Sequence, residues 1–573
     1  MLCIAVGLLL GGNAVSAFAQ DAAPSPNATV NLIRLMVKKG LITQSDADGL
    51  LKQANDEAVA ARSAAAAAPA AVGTIADGAQ PGDVRVTYVP QSVRNEIRDQ
   101  VKQEVIAQAK SERWAEPNAL PDWLSRITWY GDIHVRDESW LYSRSNASDF
   151  INYAALNQTG PYDINGITQN QLPPILNSTE NRPNMLRLQA HIGMHVKLGD
   201  TITAGVALAS GDDNNPVSTT QTAGGGLDKK DIWLNEAWIR WQPNTNLSVT
   251  AGRMPDPFMV TDLLFAPELN FDGVAVHGEL PFTDDLKAFA TFSEVPIQYT
   301  DNDAPADSYS TSKYSAGDNW LSAAQFGLQW KFANDATWKV ALAYYYFDHM
   351  QGQLSAPCEL YNGQNYCSTD YTAPDYMQWG NTVFLLRDIV PNPSSPDNYA
   401  QPQFVGLSYN YHVADLTNKI DFKIGETPME IQAEYERNMA YHEREAFDRY
   451  PDGLGVPVNN YQGVAGDSNA TGPYKSGPVG WLVRGIIGNP HPMALNEWNI
   501  ALGYKYLQPD ATLDGLTDQN FHLGGTNAKG FILTADYGIA DRTWVSARYY
   551  GAKQVYGPPF TLDVVQFEIS TKF

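Results

Sequence analysis

The stretch VVQFEISTKF, residues 564–573, closes the chain as two interleaved sets of side chains. Phe573, Thr571, Ile569, Phe567 and Val565 form one set, mostly apolar; Lys572, Ser570, Glu568 and Gln566 form the other, wholly polar. A period of two marks a β-strand whose faces meet different surroundings. The same period runs back to Arg126. In 126–136, Ile127, Trp129, Ile133 and Val135 alternate with Thr128, Tyr130, Asp132, His134 and Arg136. In 184–198, Leu186, Leu188, Ala190, Ile192, Met194, Val196 and Leu198 alternate with Arg187, Gln189, His191, His195 and Lys197. A soluble sandwich also alternates, so the pattern alone does not say which face meets what.

The connections decide it. Short turns follow every second strand: Gly199-Asp200, Pro243–Asn246, Pro281–Asp285, Ala333–Ala336, Gly425–Pro428, Gly488–Asn496 and Ala540–Thr543. Between them lie long polar loops at 137–183, 210–231, 255–272, 296–318, 349–401, 440–478, 509–528 and 554–561. Strict alternation of tight turns and long loops belongs to barrels of the outer membrane, where turns face the periplasm and loops the outside. The expectation is an all-β fold: a 16-stranded antiparallel transmembrane β-barrel, eighteen-stranded if a loop hides a further hairpin. The segment from Phe404 to Ile424 exceeds a bilayer, so its first half is expected to project beyond it. The last strand must then pair with the first. Phe573, Ile569, Phe567 and Val565 would face lipid, and Lys572, Glu568 and Gln566 water.

Bulk composition agrees. Among 573 residues there are 29 Tyr and 14 Trp, and only 18% are charged, which suits a strand wall with aromatics at a membrane–water boundary. Beyond the N-terminus no run approaches eighteen apolar residues, so a helical membrane protein is excluded. A net charge of −24 argues against nucleic acid as a partner.

Ahead of the barrel, MLCIAVGLLLGGNAVSAFAQ (1–20) has an apolar core, Leu2–Leu10, and a small-x-small site at Ala17-Phe18-Ala19. It reads as a signal peptide cleaved after Ala19 or Gln20. No basic n-region precedes the core, so the true start is expected upstream. Residues 21–65 read as a helical hairpin broken at Gly40, and 66–90 as a linker rich in Ala, Pro and Gly. Residues 91–120 read as a charged helix with Val93, Ile97, Val101 and Val105 on one stripe, either a short coiled coil or a helix packed on its own chain. The barrel domain is 121–573. Cys358 and Cys367 fall close together in one loop, and in an oxidising compartment they are expected to form a disulfide.

At this point the chain resembles the bacterial outer-membrane putative porin families that carry a helical segment before the barrel. The resemblance covers about 84–573. It rests on VTAGRMPDPFMVTDLLFAPELNFDGVAV (249–276), DGLTDQNFHLGGTNAKG (514–530) and the terminal STKF. It implies a water-filled channel in the outer membrane, with the N-terminal segment in the periplasm, passing small hydrophilic solutes or ions without catalysis or cofactor. It also implies a homotrimer, contact with lipid and lipopolysaccharide, and a terminal Phe573 that resembles the signal read by the barrel-assembly machinery. An adhesin or surface-binding barrel using the 349–401 and 440–478 loops is the alternative.

A pore selects by its width and by the charges at its narrowest ring. In porins the third external loop commonly folds inward to make that ring. Here that loop carries Asp256, Asp262, Glu268 and Asp272, with Arg253 at its root, and these five are the expected constriction. Strand parity places a wall of Arg187, His191, His195, Lys197, Glu236, Arg240, Lys331, Lys339, Glu430, Glu434, Glu436, Lys505 and Arg548 on the water side. His191 and His195 stand four apart, which on a strand spans about 13 Å, too far for one metal ion. No metal is expected.

Overall fold

The structure is a computed structural model that describes residues 124–573, apart from 167–172, 301–316, 333–335 and 464–471, and Lys52 alone before them. The signal peptide, helical hairpin, linker and charged helix expected before Arg126 lie outside the described residues.

Sixteen strands close into one antiparallel barrel. They are β1 (Ile127–Tyr142), β2 (Arg182–Lys197), β3 (Ile202–Ser210), β4 (Ile232–Asn244), β5 (Leu247–Pro255), β6 (Asn270–Pro281), β7 (Leu286–Gln298) and β8 (Asn319–Phe332), then β9 (Ala336–Asp348), β10 (Tyr411–Ile424), β11 (Thr427–Asn438), β12 (Val479–Gly488), β13 (Trp498–Leu507), β14 (Ala528–Ala540), β15 (Thr543–Gln554) and β16 (Thr561–Lys572). Each pairs with its neighbours in sequence, and β16 returns to β1 from Asp132↔Lys572 to Tyr142↔Leu562. Closure leaves no sheet edge, which is what lets a sheet cross hydrocarbon. Among the described residues no further hairpin joins the barrel to raise the count to eighteen.

The barrel is oily outside. Leu342 is 60% exposed, and Ile239, Phe326, Leu502, Phe531 and Phe567 are similarly open. An exposed apolar belt of this extent marks a surface that meets lipid. Trp129, Trp241, Trp330, Trp338 and Trp498 ring its turn end, while Tyr344, Tyr346, Tyr435 and Tyr549 stand toward its loop end. In β16 the alternation falls as expected: Phe567, Ile569 and Phe573 are exposed, whereas Gln566, Glu568 and Ser570 are buried inside.

The buried core therefore lies in the lumen, and the long loops build it. They are L1 (143–181), L2 (211–231), L3 (256–269), L4 (299–318), L5 (349–410), L6 (439–478), L7 (508–527) and L8 (555–560). L3 packs Phe258, Leu264 and Phe265 against Phe271 and Tyr345 of the wall. L5 is no simple polar loop. Val383–Leu385 pairs with Val405–Leu407, and a bond joins Cys358 to Cys367. The long segment from Phe404 is thus two pieces, a short strand folded into L5 and then β10.

L5 and L7 interlock by backbone approach. Thr526 N donates to Trp379 O at 2.7 Å. Gly525 has φ +83°, and a Cβ there would lie 1.8 Å from Trp379 O. Polar side chains seal the joint: Asp510 accepts from Thr382 N at 2.9 Å, from the Thr382 hydroxyl at 2.6 Å and from the Tyr411 hydroxyl at 3.0 Å.

Candidate functional site: the loop-narrowed lumen

L3 leaves β5, crosses the lumen and is pinned to successive strands of the wall. Met259 N donates to Gln325 Oε1 of β8, and Gln325 Nε2 returns a bond to Met259 O, at 2.8 and 2.9 Å. Lys419 of β10 donates to Val260 O at 2.9 Å. Glu434 of β11 accepts from Thr261 N at 2.6 Å and also from its hydroxyl. Asp262 meets Arg484 Nη2 of β12 at 2.5 and 2.6 Å, and Lys505 of β13 donates to Asp262 O at 2.8 Å. Glu268 then ties the loop to the other side: it accepts from Gln189 Nε2 of β2 at 2.9 Å and from Thr219 N of L2 at 2.7 Å.

The expected constriction residues thus separate into groups. Asp262 and Glu268 span the lumen on L3. Asp256 sits at the loop root and accepts from Phe258 N at 2.8 Å. Burial pushes its carboxyl up to about 7; the Phe258 N–H pulls it down, nearby Glu434 adds to the rise and Lys419 opposes it. Burial would raise Asp262 as well, but the charges of Arg484 and Lys505 outweigh it and hold the carboxyl below its ordinary value. Arg253 and Asp272 lie elsewhere. Met254 and Phe271, their neighbours in sequence, are buried inward, so Arg253 and Asp272 take the outward parity, where they pair at 2.9 Å with Asp272 56% exposed. Strand parity, not nearness to the loop, fixes a side chain's face.

The wall residues also sort by what covers them. Arg187 pairs with Glu138 at 2.7 Å, and Arg548 with Glu568 at 3.1 Å. His191 meets Asp132 at 2.9 Å, and the His195 ring lies tilted between Tyr130 and Trp238. Glu236 accepts from the Trp238 indole at 3.0 Å, and Arg240 lies over the Trp238 face at 4.9 Å. Lys197 and Lys331 stand exposed toward the turn end, and Lys339 is in register with Lys419. Glu430 accepts from Gln432 at 2.5 Å. Glu434 and Glu436 occupy the inward face but are fully covered, so the expected acidic stripe does not reach water there.

Sequence reading passed over Arg484, Glu138 and Lys419. It set Arg136 in the polar row of β1 and Glu568 on the water face of β16 without assigning either to the pore wall. Arg136 and Arg187 are register partners on β1 and β2, and Arg136 bonds Glu568 at 2.7 Å. The signal for Arg484 was its standing as the lone charge of GWLVRGIIG (480–488). At the seam, Ser570, His134 and Asp132 form a hydrogen-bonded chain of 2.7 and 3.0 Å. Ser570 is fully buried and also donates to Glu568, so the chain braces β16 against β1.

A closed strand wall with a lipid-facing exterior and a charged, loop-narrowed interior defines a channel protein of the outer membrane. The family described as "Putative porin" matches residues 26–573, and the chain belongs to it. It is a porin of the bacterial outer membrane. Solved structures that the chain matches include the outer membrane channel DcaP of Acinetobacter baumannii, at 12% identity over 78% of this chain and 97% of that one, with a TM-score of 0.35. OprB of Pseudomonas putida is 10% identical over 79% and 96%, with a TM-score of 0.39. OmpF of Salmonella typhi, solved with daunomycin, is 8% identical over 78% and 97%, with a TM-score of 0.34. No curated protein sequence matches the chain.

Proposed function

We propose that small hydrophilic solutes diffuse passively through this barrel past an eyelet whose one side is L3. Asp256, Asp262 and Glu268 supply its acidic face, and Arg187 and Arg548 its basic face, while Arg484 and Lys505 hold Asp262 in place. The observation that carries the reading is the course of L3, bonded to β8, β10, β11, β12 and β13 in turn. A loop held at so many points defines a fixed width rather than a plug that swings. Opposed charges across a narrow water path orient a dipolar solute in transit. In the same reading the protein works as a homotrimer, bordered by lipid and lipopolysaccharide, and Phe573 is read by the barrel-assembly machinery.

The test is reconstitution of the full chain in a planar bilayer. Discrete current steps with a near-linear current–voltage relation are expected, with a measurable reversal potential in a salt gradient. A purified, folded barrel that gives no steps overturns the proposal. Light scattering in detergent at the mass of a single chain overturns the trimer.

A further inference from the structure

Above the eyelet, on the loop side, the lumen holds a second cavity of about 410 Å³. That volume lies in the range of small-molecule sites. Trp140 and Trp379 stand on its walls, Leu176 and Leu523 add apolar surface, and Arg182 and Arg187 supply the cations.

Arg182 is there because of a bulge. In register, Glu138 pairs with Met185 but Trp140 pairs with Arg182, so Pro183 and Asn184 together oppose Ser139. Asn184 has φ +55° and its N–H donates to Ser139 Oγ at 3.0 Å. Without the extra residue, Arg182 would share the lipid face of Leu186; with it, Arg182 turns inward beside Trp140. The arginines deeper in the lumen, Arg136, Arg187, Arg484 and Arg548, are each paired with a carboxylate. Among the described residues the Arg182 side chain has neither an ion-pair nor a hydrogen-bond partner.

The two indoles are fixed. Trp140 Nε1 donates to Glu138 at 2.8 Å, and Trp379 stands edge-on to Phe150 and Phe560 at 5.4 and 5.8 Å. The Tyr142 hydroxyl and the Trp379 indole N–H, both on the cavity's lining residues, find no partner among the described residues, and Tyr142 is only 7% exposed. Neither atom has surface open to the cavity, so the polar contact of a ligand falls to the arginines. The one carboxylate present, Glu138, is already engaged by Trp140, Arg187 and Gln566. It has little left for a cation or for the hydroxyls of a sugar.

We infer that this cavity is a loading site for small carboxylates that carry an aromatic or cyclic apolar body. The carboxylate meets Arg182 and the ring lies against the indoles. The inference rests on the channel reading above and names a solute class for it.

Benzoate is the probe, added on the loop side of the full-length protein in a planar bilayer carrying a KCl current. Benzoate should interrupt the current at millimolar concentration, while acetate and benzyl alcohol, each holding half of its chemistry, should not. Arg182→Gln should weaken the interruption about ten-fold, the loss of one charge-assisted bond at a partly solvated site. Arg182→Lys should keep most of it. Both variants change an exposed side chain that makes no contact with L3, so each still assembles and gives KCl steps, against which the benzoate interruption is scored. Equal effects of benzoate and acetate, or an unchanged response in Arg182→Gln, overturn the inference while leaving the channel intact. Absence of KCl steps overturns the channel reading, and this inference with it.

Discussion

Asp262→Asn removes one carboxylate from the eyelet with almost no change in shape. Its partner Arg484 stays, as does Lys505, so the lumen gains one net positive charge at its narrow point. The two side chains are 12% and 18% exposed, which places the pair between bulk water and protein interior. A unit charge about 4 Å from a passing ion is worth about 1 kcal/mol in water and about 4 kcal/mol at an effective dielectric of 20. Taking the lower figure, because the path is wet, chloride gains about 1 kcal/mol, or about five-fold in permeability. Potassium loses a similar amount. The assay is the reversal potential in a KCl gradient near 0.1 M, where the screening length is about 10 Å. The Cl⁻/K⁺ permeability ratio should rise about 25-fold, the product of the two changes, and the change should shrink at 1 M, where the screening length falls to about 3 Å. Asp262→Asn combined with Arg484→Gln restores the charge balance and should bring the ratio back toward wild type. An unchanged ratio, or a shift toward cations, would place Asp262 off the ion path and refute the eyelet described above.

Three further outcomes are expected. Asp256 has its carboxyl raised to about 7, so it is charged above that pH and neutral below. Lowering the pH from 8 to 6 should therefore move the reversal potential toward anion preference, and Asp256→Asn should abolish that step. Gly525→Ala drives a Cβ into Trp379 O, so the L5–L7 joint should open; a protease-sensitive L5 on an otherwise heat-resistant barrel, seen by gel electrophoresis, is the readout. Reducing Cys358–Cys367 opens a loop of nine residues' separation, worth about 2–3 kcal/mol locally. L5 should exchange amide hydrogen faster afterwards while the exchange of β1 and β16 stays unchanged.

The wall of this protein was legible in its sequence because each strand meets oil on one side and water on the other, and that contrast is written residue by residue. Alternation in β2 and β16, with short turns against long loops, was enough to count the strands. The interior was harder for a physical reason. Asn381, Thr382, Asp510 and Asp514 look like solvated loop residues, yet they are buried because each satisfies another more than a hundred positions away. Parity does not carry past the bulge at Asn184, and it was not applied at Arg253 and Asp272, where nearness to the loop decided instead. Asp262 was found from its loop, but its partner Arg484 was not, since one cation in an apolar strand has no local pattern to announce it.

The anchorage of L3 has a consequence for how the molecule comes into being. Asp262 is joined to Arg484 across 222 positions and to Lys505 across 243. L3 therefore reaches its final anchorage only once β12 and β13 stand in the wall. The width of the opening is thus written in contacts between distant parts of the chain and not in any one strand.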